Sequence, residues 1–171
     1  MKCYSYQQKL KKIWQEAVNR YQKGDRNLDN YFSTITIEEL SSMGLNRMDV
    51  YDYAEDYVSR GEPDFETFLL VSSVRRDYLF FMQAGVKSTK LIDINSLPAK
   101  DAMVNGIVWL PRIMQKAWAK LRGELPPEIM YGCGGDRRFF KEYNIHPADF
   151  LRAAWAYEKD ELKLIDWVIS Q

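Results

Sequence analysis

Apolar side chains recur at helical spacing along most of the chain. In SYQQKLKKIWQEAVNRYQKG, Leu10, Ile13, Trp14, Ala17, Val18 and Tyr21 follow i, i+3, i+4 spacing. The pattern predicts an amphipathic helix with Ser5 at its start and Gly24 at its end. TIEELSSMG predicts a short helix, with Thr36 and Glu39 as a capping box and Gly44 as its stop. NRMDVYDYAEDYVSRG predicts a third helix between Asn46 and Gly61. Val50, Tyr51, Ala54, Tyr57 and Val58 form one of its faces. Asp49, Asp52 and Asp56 fall on another, with Glu55 beside them.

From Asp64 to Gly85 the apolar positions surround most of a helix, and only Glu66, Ser73 and Asp77 share a narrow polar sector. A helix apolar on nearly all sides is central in its domain. Arg75 and Arg76 project into its apolar sectors, so they are candidates for buried or half-buried arginines. Residues 86–100 show no helical period and read as a connector with a short extended piece at 90–94. This divides the chain into an N-terminal helical half (1–87), a connector (88–98) and a C-terminal helical half (99–171).

In GIVWLPRIMQKAWAKLRG, Leu110, Ile113, Ala117 and Leu121 form a core stripe, Pro111 suits the first turn and Gly123 closes the helix. Arg112, Lys116 and Lys120 line up at i, i+4, i+8, which reads as a solvated face, except that Arg112, at the helix start beside Trp109 and Leu110, could clasp Asp136 or a ligand carboxylate. ELPPEIMYGCGG is a loop, and Asp136 is placed to cap a short helix through Tyr143. His146 and Pro147 suit the start of the next helix, and Asp160 begins the last. The fold expected is all-α, with about eight helices in a bundle-like globule and no convincing strand pattern.

Charge narrows the partners. The chain of 171 residues carries 24 basic and 24 acidic side chains, so it lacks the basic surplus of a nucleic-acid binder. Locally, residues 29–66 hold ten acidic groups against Arg47 and Arg60, whereas residues 1–23 hold six basic groups against Glu16. Two charged faces follow, or two segments that attract on folding. Cys3 and Cys133 imply no disulfide framework, and reduced thiols are the default. No apolar run approaches a membrane span, and the N-terminus lacks a signal-peptide core, so a soluble cytoplasmic protein is expected.

The chemistry-bearing residues leave several options open. Cys133 precedes Asp136, Arg137 and Arg138, a setting that permits a stabilised thiolate. The phosphatase pattern of Cys, five residues, Arg fails, because only four residues separate Cys133 from Arg138. A Cys–His dyad would have to use His146, the one histidine. Gly134-Gly135 before a helix is a weak phosphate cradle. Buried Arg75 and Arg76 need partners, either the acidic face of the preceding helix or a ligand anion. Nothing implies a metal or a cofactor.

From about Leu97 onward the chain resembles an uncharacterised bacterial family known only as a domain of unknown function. The resemblance rests on Gly106, Leu110-Pro111-Arg112, Lys116-Ala117, Ala119-Lys120-Leu121, Tyr131, Cys133, Asp136, Phe139-Phe140 and Trp167-Val168. DYAEDYV, GEP and VRRDY look like its longer branch. Gly134 stands where shorter members usually have Pro. The resemblance implies no activity.

The leading expectation is a small soluble domain that binds an anionic ligand or a protein partner between its two halves. Arg75, Arg76, Arg112, Cys133, Asp136 and Arg137 would line the site. One alternative is an enzyme using Cys133 as nucleophile or redox thiol. Another is a structural interaction module with its arginines paired internally. A homodimer is compatible with each.

Overall fold

The computed structural model describes residues 4–171, so Cys3 and Lys2 lie outside the described residues. Eight α-helices make up the described chain: α1 (Tyr6–Gln22), α2 (Thr34–Ser42), α3 (Arg47–Arg60), α4 (Phe65–Phe81), α5 (Leu110–Arg122), α6 (Gly134–Glu142), α7 (Pro147–Ala156) and α8 (Glu161–Ile169). The fold is mostly α, as the periodicity predicts. Several predicted boundaries rest on the expected chemistry. Asn46 accepts from the Met48 and Asp49 N–H groups while Asp49 reaches back to the Asn46 N–H, a full capping box. Asp64, His146 and Asp160 each cap with a side-chain acceptor.

Two apolar clusters share α4. Phe65 and Phe68 join residues of α1, α2 and α3. One turn later Val71, Val74 and Tyr78 join α5, α6, α7 and α8. A helix serving two cores in succession must be apolar on more than one face, which explains the nearly all-round pattern. Burying one such side chain contributes about 1.5–3 kcal/mol.

Four local expectations need correction. Ser33, not Thr36, caps α2, because its hydroxyl accepts from the Thr36 N–H at 3.1 Å. Residues 90–94 form no strand, and a single 3-10 turn spans Ile94–Ser96. The only strands among the described residues are β1 (Met103–Val104) and β2 (Ile107–Val108), a small antiparallel hairpin just before α5. Asn105 (φ 50) and Gly106 (φ 78) turn it with both residues in the left-handed region that a tight hairpin demands. Finally, α6 starts at Gly134 with Cys133 at the cap position, so Asp136 is the third helical residue.

Candidate functional site

The acidic row of α3 faces basic side chains from α5 and α6. Asp49 pairs with Lys120 at 2.5 Å and Asp56 with Arg137 at 2.7 Å. Glu55 accepts from the Tyr21 hydroxyl at 2.6 Å. Asp52, between these pairs, has its carboxyl pushed up to about 7, mainly by burial and then by Asp49 and Glu55. The row Arg112, Lys116, Lys120 is therefore not a solvated face. Lys116 and Lys120 are buried, each against a carboxylate. Helical periodicity places these three on one side of α5, but not which neighbour covers that side. Of the basic N-terminal segment, Lys9 reaches the acidic stretch, at Glu39.

Asp136 is the centre of the MYGCGGDRRFF turn and is 0% exposed. It accepts from the Trp109 indole N–H at 3.0 Å, from the Gly132 N–H at 2.8 Å and from the Lys116 ammonium. Arg112 does not reach it and donates instead to the Pro98 carbonyl at 2.6 Å. The glycines are required by close approach. A Cβ on Gly132 (φ +89) would stand 2.6 Å from the Tyr53 hydroxyl oxygen, and one on Gly135 would stand 2.4 Å from the Trp109 ring. Tyr53 donates to the Tyr131 carbonyl at 2.9 Å, and burial drives its phenol well above the ordinary range. Cys133 is half-buried, with Lys116 Nζ 3.5 Å from its sulfur. His146 uses Nδ1 to accept from the Ala148 N–H, so the cap expected at His146 is the contact found.

Arg75 and Arg76 lie far from a common purpose. Arg75, 1% exposed, donates to the Gly44 carbonyl (3.1 Å), the Leu121 carbonyl (2.8 Å) and the Gln83 side chain (2.8 Å). Its partners stand at the C-terminal ends of α2, α5 and α4, where the negative ends of helix dipoles collect. Burial lowers its pKa to about 10, still far above neutrality. Gly44 and Gly123 close on its guanidinium, and a Cβ on Gly123 would meet Nη2 at 2.5 Å. Arg76 is stacked over Tyr6 (4.2 Å) and Phe80 (4.9 Å), with Asp77 at 3.6 Å.

Arg137 has a different environment. It is 7% exposed, and both its hydrogen bonds leave from Nη1, to Asp56 and to the Gly132 carbonyl, each at 2.7 Å. Nε is buried without a hydrogen-bond partner. Glu62 Oε1 stands 3.4 Å from it, an ion-pair contact outside hydrogen-bond geometry. Arg137 lines a cleft of about 540 Å³ with Glu62, Thr67, Phe140, Lys141 and His146 among its other walls. Lys141 holds the other Glu62 oxygen at 2.6 Å, and this bond is the main reason the Glu62 carboxyl lies below its ordinary range.

A smaller cleft, about 290 Å³, lies beside Arg75. The larger cleft includes Asp64 and Thr67 at the α4 N-terminus and His146 and Pro147 at the α7 N-terminus. Helix N-termini carry about half a positive charge each. The smaller cleft includes Gly44 and Gly123, at the C-terminal ends of α2 and α5. There the negative dipole ends stand beside Arg75, Lys87 and Lys120, with Asp49 and the α3 cap Asn46 also on the wall. In the larger cleft Arg137 and Lys141 stand against Glu62 and the α4 cap Asp64, beside two positive helix ends. The expected site residues thus separate: Arg137 borders the larger cleft, Arg75 the smaller, and Asp136 and Arg112 support the turn and the connector. Arg76 borders neither. No local pattern marks Glu62 and Lys141 as cleft residues, because they lie 79 positions apart in the chain, and His146 reads locally as a helix cap.

Fold and cleft together define a mostly helical domain with a cleft of mixed polar and apolar walls. Residues 96–171 match the DUF5069 family model, described as a domain of unknown function. No curated protein and no solved structure matches the chain. Among the described residues, no three His, Cys, Asp or Glu side chains group as a metal site, and no helix is long and apolar enough to cross a membrane.

Proposed function

We propose that this protein binds a small anionic ligand in the cleft between the α3–α4 connection and α6–α7, with Arg137 as its anchor. The observation that carries the proposal is a nine-tenths buried guanidinium whose Nε makes no hydrogen bond, at the wall of the 540 Å³ cleft. An unsatisfied buried donor costs about 1–3 kcal/mol, which a bound anion would recover. Phe140, Ile145 and Pro147 supply apolar wall for a ligand with a short apolar body. The division into halves at residues 88–98, a bacterial origin and action in the cytoplasm belong to the same proposal.

An amide NMR titration tests it, using acetate, benzoate and inorganic phosphate at constant ionic strength. The expected result is saturable shifts confined to Gly61, Thr67, Lys141, Asn144 and Ile145. Linear shifts scattered over the basic surface would refute it. Cys133 keeps a second reading alive, that of a reactive thiol, because Lys116 Nζ sits 3.5 Å from its sulfur. Iodoacetamide labelling across pH tests this, and a midpoint at or above that of a free thiol would exclude it.

A further inference from the structure

We infer that the ligand of this cleft is a carboxylate, and that Glu62 occupies its place until it arrives. The inference rests on the cleft being a ligand site. Its basis is the geometry of one guanidinium. Nη1 of Arg137 is engaged by Asp56 and the Gly132 carbonyl. The remaining edge, Nε with Nη2, makes no hydrogen bond. That edge offers two parallel N–H groups, the fork that matches the two oxygens of a carboxylate.

The chain already sets a carboxylate near this edge, but poorly. Glu62 Oε1 is 3.4 Å from Nε, while Oε2 is held by Lys141 at 2.6 Å. Glu62 therefore bridges the two cations without forming the fork. It sits in the short connection between α3 and α4, and its side chain is 43% exposed. Beyond Lys141 and Arg137 no hydrogen bond or ion pair holds its carboxylate, so exchange of those two contacts is all that its outward release requires. A ligand carboxylate seated on Nε and Nη2 would take over both contacts, with Lys141 closing on it. His146, which lines the cleft, spends Nδ1 as an acceptor, so its neutral ring carries the N–H on Nε2. The dipoles of α4 and α7 act in the same direction. Ligand entry is thus an exchange of one carboxylate for another, and the internal one lowers the apparent affinity.

Isothermal titration of wild type and Glu62→Ala with benzoate, and separately with inorganic phosphate, at fixed ionic strength tests this. Circular dichroism confirms that the variant is folded. Glu62→Ala is expected to bind benzoate about tenfold more tightly than wild type, because the competing carboxylate is gone. Arg137→Lys in that background keeps the charge facing Asp56 but lacks the fork, and should lose the gain. If that double variant fails to fold, Lys141→Ala in the same background replaces it, with a smaller loss expected. Equal benzoate affinity in wild type and Glu62→Ala would overturn the stand-in role while leaving the cleft a binding site. Phosphate bound without benzoate would overturn the carboxylate class alone. No binding of either probe by either protein would overturn the inference and the ligand-site proposal together.

Discussion

Lys116→Met removes the cation facing Asp136 and keeps the length of the side chain. Lys116 is 2% exposed and Asp136 0%, so the orphaned carboxylate has no route to water. It keeps only the hydrogen bonds from Trp109 and Gly132. Breaking a buried pair from one side costs about 3–5 kcal/mol. The two surviving bonds place the expected loss near the lower end, about 3 kcal/mol, a large share of the roughly 5–15 kcal/mol that stabilises a domain. The exposed Arg152–Asp149 pair is the internal control, with both side chains at least half exposed. Arg152→Ala should cost no more than about 0.5 kcal/mol. Urea unfolding followed by tryptophan fluorescence measures both. Lys116→Met with Asp136→Asn should be more stable than Lys116→Met alone, since the unpaired charge is gone. A loss below about 1 kcal/mol for Lys116→Met, or no recovery in the double variant, would refute the account of this turn. The consequence extends to Arg137, because Asp136 holds the Gly132 N–H while the Gly132 carbonyl holds Nη1.

Other expectations follow from the same contacts. Asp52 ionises near 3.9 when unfolded and at about 7 when folded. The folded chain then holds an extra proton between those values, and this group's contribution falls as pH rises through that window. Asp52→Asn should raise stability at pH 8, by at most about 4 kcal/mol for a rise of that size and by less as water screens the half-buried group, and leave it unchanged at pH 4, measured by urea midpoints; an equal effect at both would contradict the burial argument. Gly123→Ala should lower stability by at least about 2 kcal/mol, because its Cβ would strike Arg75 at 2.5 Å in a residue already at φ +71. Gly24→Ala has nothing within 4 Å and should cost only about 1 kcal/mol; urea unfolding measures both.

Periodicity made the helices legible, and capping chemistry placed several of their starts, because both depend on residues a few positions apart. Asn46 with Asp49 and His146 with Pro147 are local signals of this kind. The hairpin at Asn105-Gly106 was equally local, yet two-residue strands are too short for a period to emerge, and the Asn-Gly turn was the signal to follow. Ser33 and Thr36, three positions apart, are both good caps, and the spacing to Glu39 favours Thr36, although Ser33 is the cap. Burial of the basic row on α5 was not legible, since it depends on Asp49 and Asp136, which lie 71 and 20 positions away. Arg75 was foreseen as buried, but its carbonyl partners carry no side-chain signature. The cleft around Arg137 is assembled from the α3–α4 connection and α6–α7, so only tertiary structure brings it together.

The most direct test of the central claim is the side-chain Nε–H resonance of Arg137. Its assignment comes from comparison with Arg137→Lys, and it is followed by nitrogen-15 NMR during a benzoate titration. A saturable downfield shift, with the midpoint seen at the cleft amides, is the predicted result. An Nε–H signal that stays in place while benzoate reaches saturation elsewhere, or throughout the titration, would contradict it.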